Sequence, residues 1–208
     1  MTTATTRPQK DSSPAEAAVE DVPRRSARDR IFDAARELFY RQGIRAVGVE
    51  SIAQEAGATK MSLYRAFESK DELVAECLKQ SEREAWLWWE ATTAPHADDP
   101  RAALLAIFDS LALKAKTCEK RGCAIGNAAV ELTDDAHPAR AVVLAYNREK
   151  RRRLRALCKA LGAHDHEMLA DGLQLLMDGA YLSRLSLGAA GPNASLRRAA
   201  EALIDSQT

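Results

Sequence analysis

Apolar residues recur three or four positions apart along most of the chain, which is the spacing of amphipathic α-helices. In the first predicted helix, about 26–42, Ile31, Ala35, Leu38 and Phe39 form one apolar stripe. Alternating strand-like runs are missing, and Val and Ile are few beside Ala, Leu, Arg and Glu. The pattern therefore predicts an all-α fold.

Capping residues and glycines predict where these helices begin and end. Ser26 with Asp29, and Ser69 with Glu72, are start signals, and Thr59 is expected to cap the helix that follows it. Gly43 is expected to close the first helix as a left-handed residue. The other helices are predicted, in chain order, over about 49–56, 60–67, 70–92, from 100 onward, 122–134, 138–162, 165–188 and 192–206.

Composition places the chain among cored proteins without a membrane span. Of its 208 residues 46% are hydrophobic and 29% are charged, as in ordinary globular domains. No stretch reaches the roughly 18 apolar residues of a spanning helix, and the N-terminus lacks the apolar core of a secretory signal. We therefore expect a cytoplasmic protein. Residues 1–23 have no periodicity and are predicted to be a disordered tail.

Sequence signatures of catalysis and of metal binding are missing. The four cysteines form no C-x-x-C pair, and the four histidines form no H-E-x-x-H pattern. We also find no phosphate loop and no nucleophile signature. The expectation is therefore a protein without metal or cofactor that is not an enzyme, and an enzyme on a helical scaffold is a remote alternative.

The most informative segment is Val49–Phe67, where Gly57 separates two short predicted helices. This arrangement is typical of the helix-turn-helix unit, whose second helix enters the DNA major groove. Leu63 and Phe67 are four residues apart and are expected to face inward together. The residues left for an outer surface are Lys60, Met61, Ser62, Tyr64 and Arg65.

The region from Ser26 to Lys79 resembles the TetR family of bacterial transcription regulators. The matching stretches are AARELFYRQG, IAQEAGAT, SLYRAF and SKDELV, and GCAIGNAAVEL further on is similar to one broad subset of the family. The resemblance implies a three-helix DNA-binding domain, here residues 24–70, and a larger helical domain, residues 71–208. It also implies a small-molecule pocket in the larger domain and a homodimer formed by the last two helices, about 165–188 and 192–206.

The resemblance also implies which residues contact operator DNA. Lys60 and Met61 occupy positions that tend to read bases, and Thr59 and Lys70 occupy positions that meet phosphate. The basic cluster at the front edge of the first helix adds Arg28, and the outward face of the third helix adds Arg65. The full candidate set is Arg28, Thr59, Lys60, Met61, Ser62, Tyr64, Arg65 and Lys70. Two positions depart from the family pattern, since Ala66 replaces His or Tyr and Gly48 replaces Thr or Ser.

Charge is unevenly distributed along a chain whose net charge is zero. Residues 24–70 contain ten basic and six acidic residues, a balance of +4, so the remainder carries −4. A basic segment suits phosphate contact. The basic run 148–159 is a second candidate surface, but its apolar stripe favours the solvated face of an amphipathic helix over nucleic-acid contact.

The larger domain offers two kinds of candidate sensing site. The tryptophans at 86, 88 and 89 either line a pocket or pack between domains. Asn127 and Glu131 are either polar anchors in an apolar pocket, or local capping or surface residues. The candidate pocket residues are Trp89, Phe108, Leu111, Asn127, Glu131, Tyr146 and Met177. Cys123 follows Lys120 and Arg121, which would lower its pKa in a thiol-based sensor; the alternative is a buried structural cysteine.

These observations lead to one main interpretation. The chain is expected to be a repressor that a small molecule of unknown identity releases from a palindromic double-stranded operator. The alternative is a regulator of the same fold that senses oxidants or electrophiles through Cys123.

Overall fold

The computed structural model of the protein describes residue 1 and the ranges 25–117, 121–188 and 191–208; of residues 115–117 it describes the backbone only. Apart from Met1, the predicted disordered tail lies outside the described residues, as do Lys120 and Cys118.

The described part of the chain contains helices and no strands, which confirms the predicted all-α fold. Two short 3-10 turns, Ala94–His96 and Pro192–Ser195, accompany them. The α-helices are α1 Ala27–Gln42, α2 Val49–Glu55, α3 Lys60–Ala66, α4 Lys70–Thr93, α5 Pro100–Thr117, α6 Ala124–Glu131, α7 Pro138–Ala160, α8 His166–Leu187 and α9 Leu196–Asp205. None of the helices described is both long and apolar enough to span a membrane.

Side-chain caps start the helices where the sequence predicts. The Ser26, Thr59 and Ser69 hydroxyls accept hydrogen bonds from the backbone N–H three residues on, at 3.1, 3.1 and 3.0 Å. Each bond satisfies one of the N–H groups that a helix leaves without a partner in its first turn. The starts of α1, α3 and α4 are therefore set by local chemistry.

Gly43 ends α1 where predicted and has the positive φ of +96° that glycine tolerates, but its ψ of 153° is not that of a left-handed helical residue. Two predicted helix boundaries were wrong. The segment 122–134 is helical only over Ala124–Glu131, because the Cys123 sulfur caps the helix there. The last helix begins at Leu196, because Asn193 donates a hydrogen bond to the Ala180 carbonyl at 3.0 Å and holds the preceding 3-10 turn against α8.

Two apolar cores stabilise the fold, and the long helix α4 contributes to both. The first core packs α1–α3 against the start of α4, α6 and α7, with Ile31, Leu63, Leu73 and Ile125 among its buried side chains. The second core lies between α4, α5, α7, α8 and α9. The first core thus crosses residue 70, the predicted domain boundary, so the helix-turn-helix unit and part of the larger predicted domain share one core.

Candidate nucleic-acid interface and ligand cavities

The outer face of α3 is the candidate DNA-reading surface. Ile52 of α2 and Leu63 of α3 are fully buried, and Gly57 between the two helices has φ +56°, which glycine adopts without steric cost. On the opposite side, Met61 is 65% exposed and Tyr64 is 48% exposed. A short helix is thus anchored by one face and open to solvent on the other.

Two hydroxyl groups at the start of α3 interact with each other. Thr59 Oγ1 lies 2.9 Å from Ser62 Oγ, and it also accepts the hydrogen bond from Ser62 N that caps the helix. Thr59 is exposed and Ser62 is half-buried. The capping role predicted for Thr59 is confirmed, and both hydroxyls lie at the end of α3 that carries Lys60 and Met61.

Lys60 forms an exposed ion pair with α2. Its Nζ lies 2.5 Å from Glu50 Oε1, and this hydrogen bond raises the pKa of Lys60 and lowers the pKa of Glu50. Exposed ion pairs contribute little to stability, so Lys60 can exchange Glu50 for another partner at small cost. Arg65 is also exposed on α3.

Two other predicted DNA contacts are held by groups of the protein. Lys70 Nζ donates to the Ile44 carbonyl at 2.7 Å, and partial burial lowers the pKa of Lys70. Arg28 donates to Glu76 at 2.6 Å, and its guanidinium carbon lies 4.6 Å from the centre of the Phe67 ring. In this structure Lys70 therefore holds the connection between α1 and α2, and Arg28 links α1 to α4.

An outer cavity of about 510 Å³ lies between α1, α4 and α6. Asn127 and Glu131, both predicted to be pocket residues, line it. Glu131 accepts hydrogen bonds from the backbone N–H groups of Ile44 at 2.6 Å and Arg45 at 3.3 Å. Its carboxylate thus forms a wall of the cavity and also holds the α1–α2 connection.

An inner cavity of about 90 Å³ adjoins the outer one, and Tyr146 and Met177 line it. The other predicted pocket residues, Trp89, Phe108 and Leu111, line neither cavity, because all three are buried in the second core. Trp88 lines the inner cavity, and its indole N–H donates to Ser110 Oγ at 2.7 Å. Trp88 and Trp89 are adjacent on α4 and therefore point in different directions. The sequence does not show which of these directions leads to a cavity.

Two residues of the inner cavity, Lys150 and Asp178, were missed at the sequence level. Lys150 belongs to the basic run predicted to be a solvated face, but its side chain is only 5% exposed. The spacing from Tyr146 through Lys150 to Leu154 places Lys150 within the apolar stripe, and that signal would have found it. The solvated face predicted for this run agrees with several of its arginines, which form ion pairs at the surface, Arg152 with Glu149 among them.

Cys123 does not have the properties of a reactive thiol. Burial raises its pKa, and its sulfur accepts a hydrogen bond from Gly126 N at 3.4 Å. The thiol-sensor alternative requires a lowered pKa, whereas desolvation of the thiolate raises the pKa here. The structure favours the structural alternative.

Metal-ligating side chains do not cluster in the described part of the chain. No group of three or more His, Cys, Asp or Glu residues there is arranged to hold an ion.

These features define a class: an all-helical protein with an N-terminal helix-turn-helix unit packed on a larger helical body. The family model of bacterial regulatory proteins of the tetR family matches residues 31–77. A crystal structure of sav143 from Streptomyces avermitilis MA-4680, described as a tetR transcriptional regulator, is 34% identical; the match covers 88% of this chain and 98% of that chain, with a TM-score of 0.76. The chain belongs to the TetR family.

Further relatives show the same likeness. SCO4454, a TetR-family transcriptional regulator from Streptomyces coelicolor, is 28% identical over 87% of this chain and 89% of that chain, with a TM-score of 0.81. TtgR, an HTH-type transcriptional regulator from Pseudomonas putida, is 32% identical over 112 residues, which is 52% of each protein. The chain thus spans about half the length of the curated relatives it matches.

Proposed function

We propose that the protein is a DNA-binding transcriptional regulator in the bacterial cytoplasm. The observation that carries this proposal is α3, whose buried Leu63 anchors one face while Met61 and Tyr64 are exposed on the other. The helix lies within the segment that matches the family model. The balance of +4 over residues 24–70 supports contact with phosphate.

The protein acts as a homodimer in this proposal. Leu175 and Leu182 of α8 are 74% and 66% exposed, and Met168 and Leu185 on the same helix are also exposed. Met168, Leu175 and Leu182 recur every seven residues, so they form one apolar stripe along α8. An exposed apolar stripe is typical of an interaction surface. A symmetric dimer would place two α3 helices in major grooves about 34–36 Å apart and would select a near-palindromic operator.

The experiment is selection of binding sites from a random pool of double-stranded DNA, followed by gel-shift titration. We expect a near-palindromic sequence, and affinity that falls as salt rises. Lys60→Ala should change which bases are preferred, whereas Lys159→Ala, on an exposed lysine of α7, should leave the preference unchanged. Failure to enrich any sequence would overturn the proposal.

The regulator is proposed to be a repressor released by a small molecule. Such release requires that the ligand bind one dimer state more tightly than the other. In vitro transcription from a promoter that carries the selected site distinguishes a repressor from an activator. Added protein should reduce the transcript, and an increase would instead identify an activator.

A further inference from the structure

Lys150 is an unusual residue in the wall of the inner cavity. Among the residues whose burial the structure describes, it is the only charged one in the buried class. Its Nζ lies 2.6 Å from Asp178 Oδ1 on α8 and 5.5 Å from the centre of the Tyr146 ring. The ammonium group is therefore held inside the protein, next to an aromatic wall.

Stability alone does not account for this lysine. Removing an ammonium group from water costs several kcal/mol, and apolar replacements of buried ion pairs are often neutral or stabilising. Its counter-ion Asp178 is not buried, since the Asp178 side chain is 51% exposed. Asp178 can therefore return to water at little cost if another anion takes its place beside Lys150.

The other polar groups of the inner cavity are mainly hydrogen-bond donors. Burial raises the pKa of Tyr146 and of Cys123, so both keep their protons at neutral pH. Asp178 is the single carboxylate among the described residues that line this cavity. A buried ammonium group and protonated donors around one displaceable carboxylate favour an anionic guest.

The outer cavity favours the other end of such a molecule. The two cavities share Ser81, Ala85, Lys114 and Ala124 as lining residues, so they adjoin. The outer cavity has an apolar wall and a volume typical of small-molecule sites. Its lining also contains four acidic side chains and two basic ones, which disfavours an anionic group there. The apolar wall includes Phe39, Val74 and Leu78. The acidic residues are Asp33, Glu37, Glu84 and Glu131.

We infer that the effector is an amphipathic monocarboxylic acid whose carboxylate binds Lys150 in exchange for Asp178. Its apolar body lies in the outer cavity, against α1 of the helix-turn-helix unit. This inference rests on the proposed function of the chain as a ligand-responsive regulator, and it specifies the chemical class of the ligand.

The test compares three probes with one chain length and different head groups: octanoate, octan-1-ol and octylammonium at pH 7.5. Binding is followed by tryptophan fluorescence, because Trp88 lines the inner cavity. Octanoate should bind about tenfold or more tightly than octan-1-ol, the range expected for a hydrogen bond to a charged group. Equal affinities, or a preference for octylammonium, would overturn the inference.

Two variants locate the head group. Lys150→Met should abolish the preference for octanoate and leave octan-1-ol binding unchanged, whereas Lys159→Met, the same change at an exposed position of α7, should keep the preference. Asp178→Asn removes the competing carboxylate and should raise octanoate affinity several-fold. It also keeps the inference testable if Lys150→Met does not fold. An octanoate preference that neither variant changes would refute the assignment to Lys150.

All of these measurements are made on the free protein without DNA. Selective octanoate binding by a chain that binds no DNA would contradict the proposed function and leave the ligand site intact. Sequence-specific DNA binding without octanoate preference would contradict the ligand site and leave the proposed function intact.

Discussion

Single side chains join the helix-turn-helix unit to the larger body. The Glu131 carboxylate accepts two backbone N–H bonds from the α1–α2 connection, and Lys70 donates to the Ile44 carbonyl. Gly43 precedes this connection, and a Cβ there would lie 2.9 Å from side-chain atoms of Arg121 and Glu131. Glu131 and Lys70, both distant in sequence from Ile44, thus hold the α1–α2 connection in place.

Removal of the Glu131 carboxylate should destabilise the protein. Glu131→Ala leaves two backbone donors without their charged acceptor, which should cost about 1.5–3 kcal/mol in free energy of unfolding. Glu131→Gln should cost less, because its amide oxygen still accepts. Urea denaturation measures both, with Glu68→Ala at an exposed position as the control. A Glu131→Ala protein as stable as this control would contradict the role.

Buried thiols should make the fold sensitive to alkali. Burial raises the pKa of Cys77 from 9.0 to about 12. Because the folded-state pKa is the higher one, the stabilisation is complete below pH 9 and is lost as pH rises from 9 to 12. The slope is at most about 1.4 kcal/mol per pH unit for one thiol.

The measurement is the free energy of unfolding between pH 8.5 and 10 for the wild type and for Cys77→Ala. The variant is expected to start less stable, because it loses packing, and to decline less steeply with pH. If the free energy of unfolding declined equally with pH in the two proteins, the raised folded-state pKa of Cys77 would be contradicted.

At the scale of elements, local signals determine where the helices start. The packing of neighbouring segments determines which groups their side chains contact. The caps of α1, α3 and α4 are local, so the sequence predicted them. The position of Lys70 at the start of α4 was also predicted, but its direction was not. The ammonium group points to Ile44 because the α1–α2 connection lies beside the first turn of α4.

This geometry predicts how Lys70→Ala affects DNA binding. The variant should weaken binding to all sequences alike, because the α1–α2 connection loses its hydrogen bond, but the salt dependence should stay unchanged. Loss of a direct phosphate contact would instead reduce the slope of log affinity against log salt by about 0.9. Gel-shift titrations at several salt concentrations distinguish a structural role of Lys70 from a phosphate contact. A reduced slope would contradict the structural role and support the phosphate contact.

At the scale of the molecule, charge and apolar surface are separated. The basic balance lies in residues 24–70, whereas exposed leucines follow α8 at the far end of the chain. A net charge of zero is therefore compatible with DNA binding, because the cationic segment is offset by acidic residues elsewhere. The separation leaves the α8 face available for a second copy of the chain.

A charge on that face should separate the proposed dimer. Leu175→Asp places a carboxylate in the apolar stripe and should shift the protein to monomers in sedimentation experiments, with loss of operator affinity. Leu87→Asp is the matched control, because Leu87 is 70% exposed on α4, outside that stripe. If Leu175→Asp stayed as dimeric as the control, the interface would lie elsewhere.

The sequence by itself determined the all-α class, the starts of several helices and the outward residues of α3, because periodicity and caps act over a few neighbouring residues. It did not determine that Trp88 rather than Trp89 lines a cavity, that Lys150 is buried, or that burial raises the pKa of Cys123. Those properties depend on which distant helices cover each side chain. Only the tertiary structure decides that, since desolvation and ion pairing act between residues far apart in the chain.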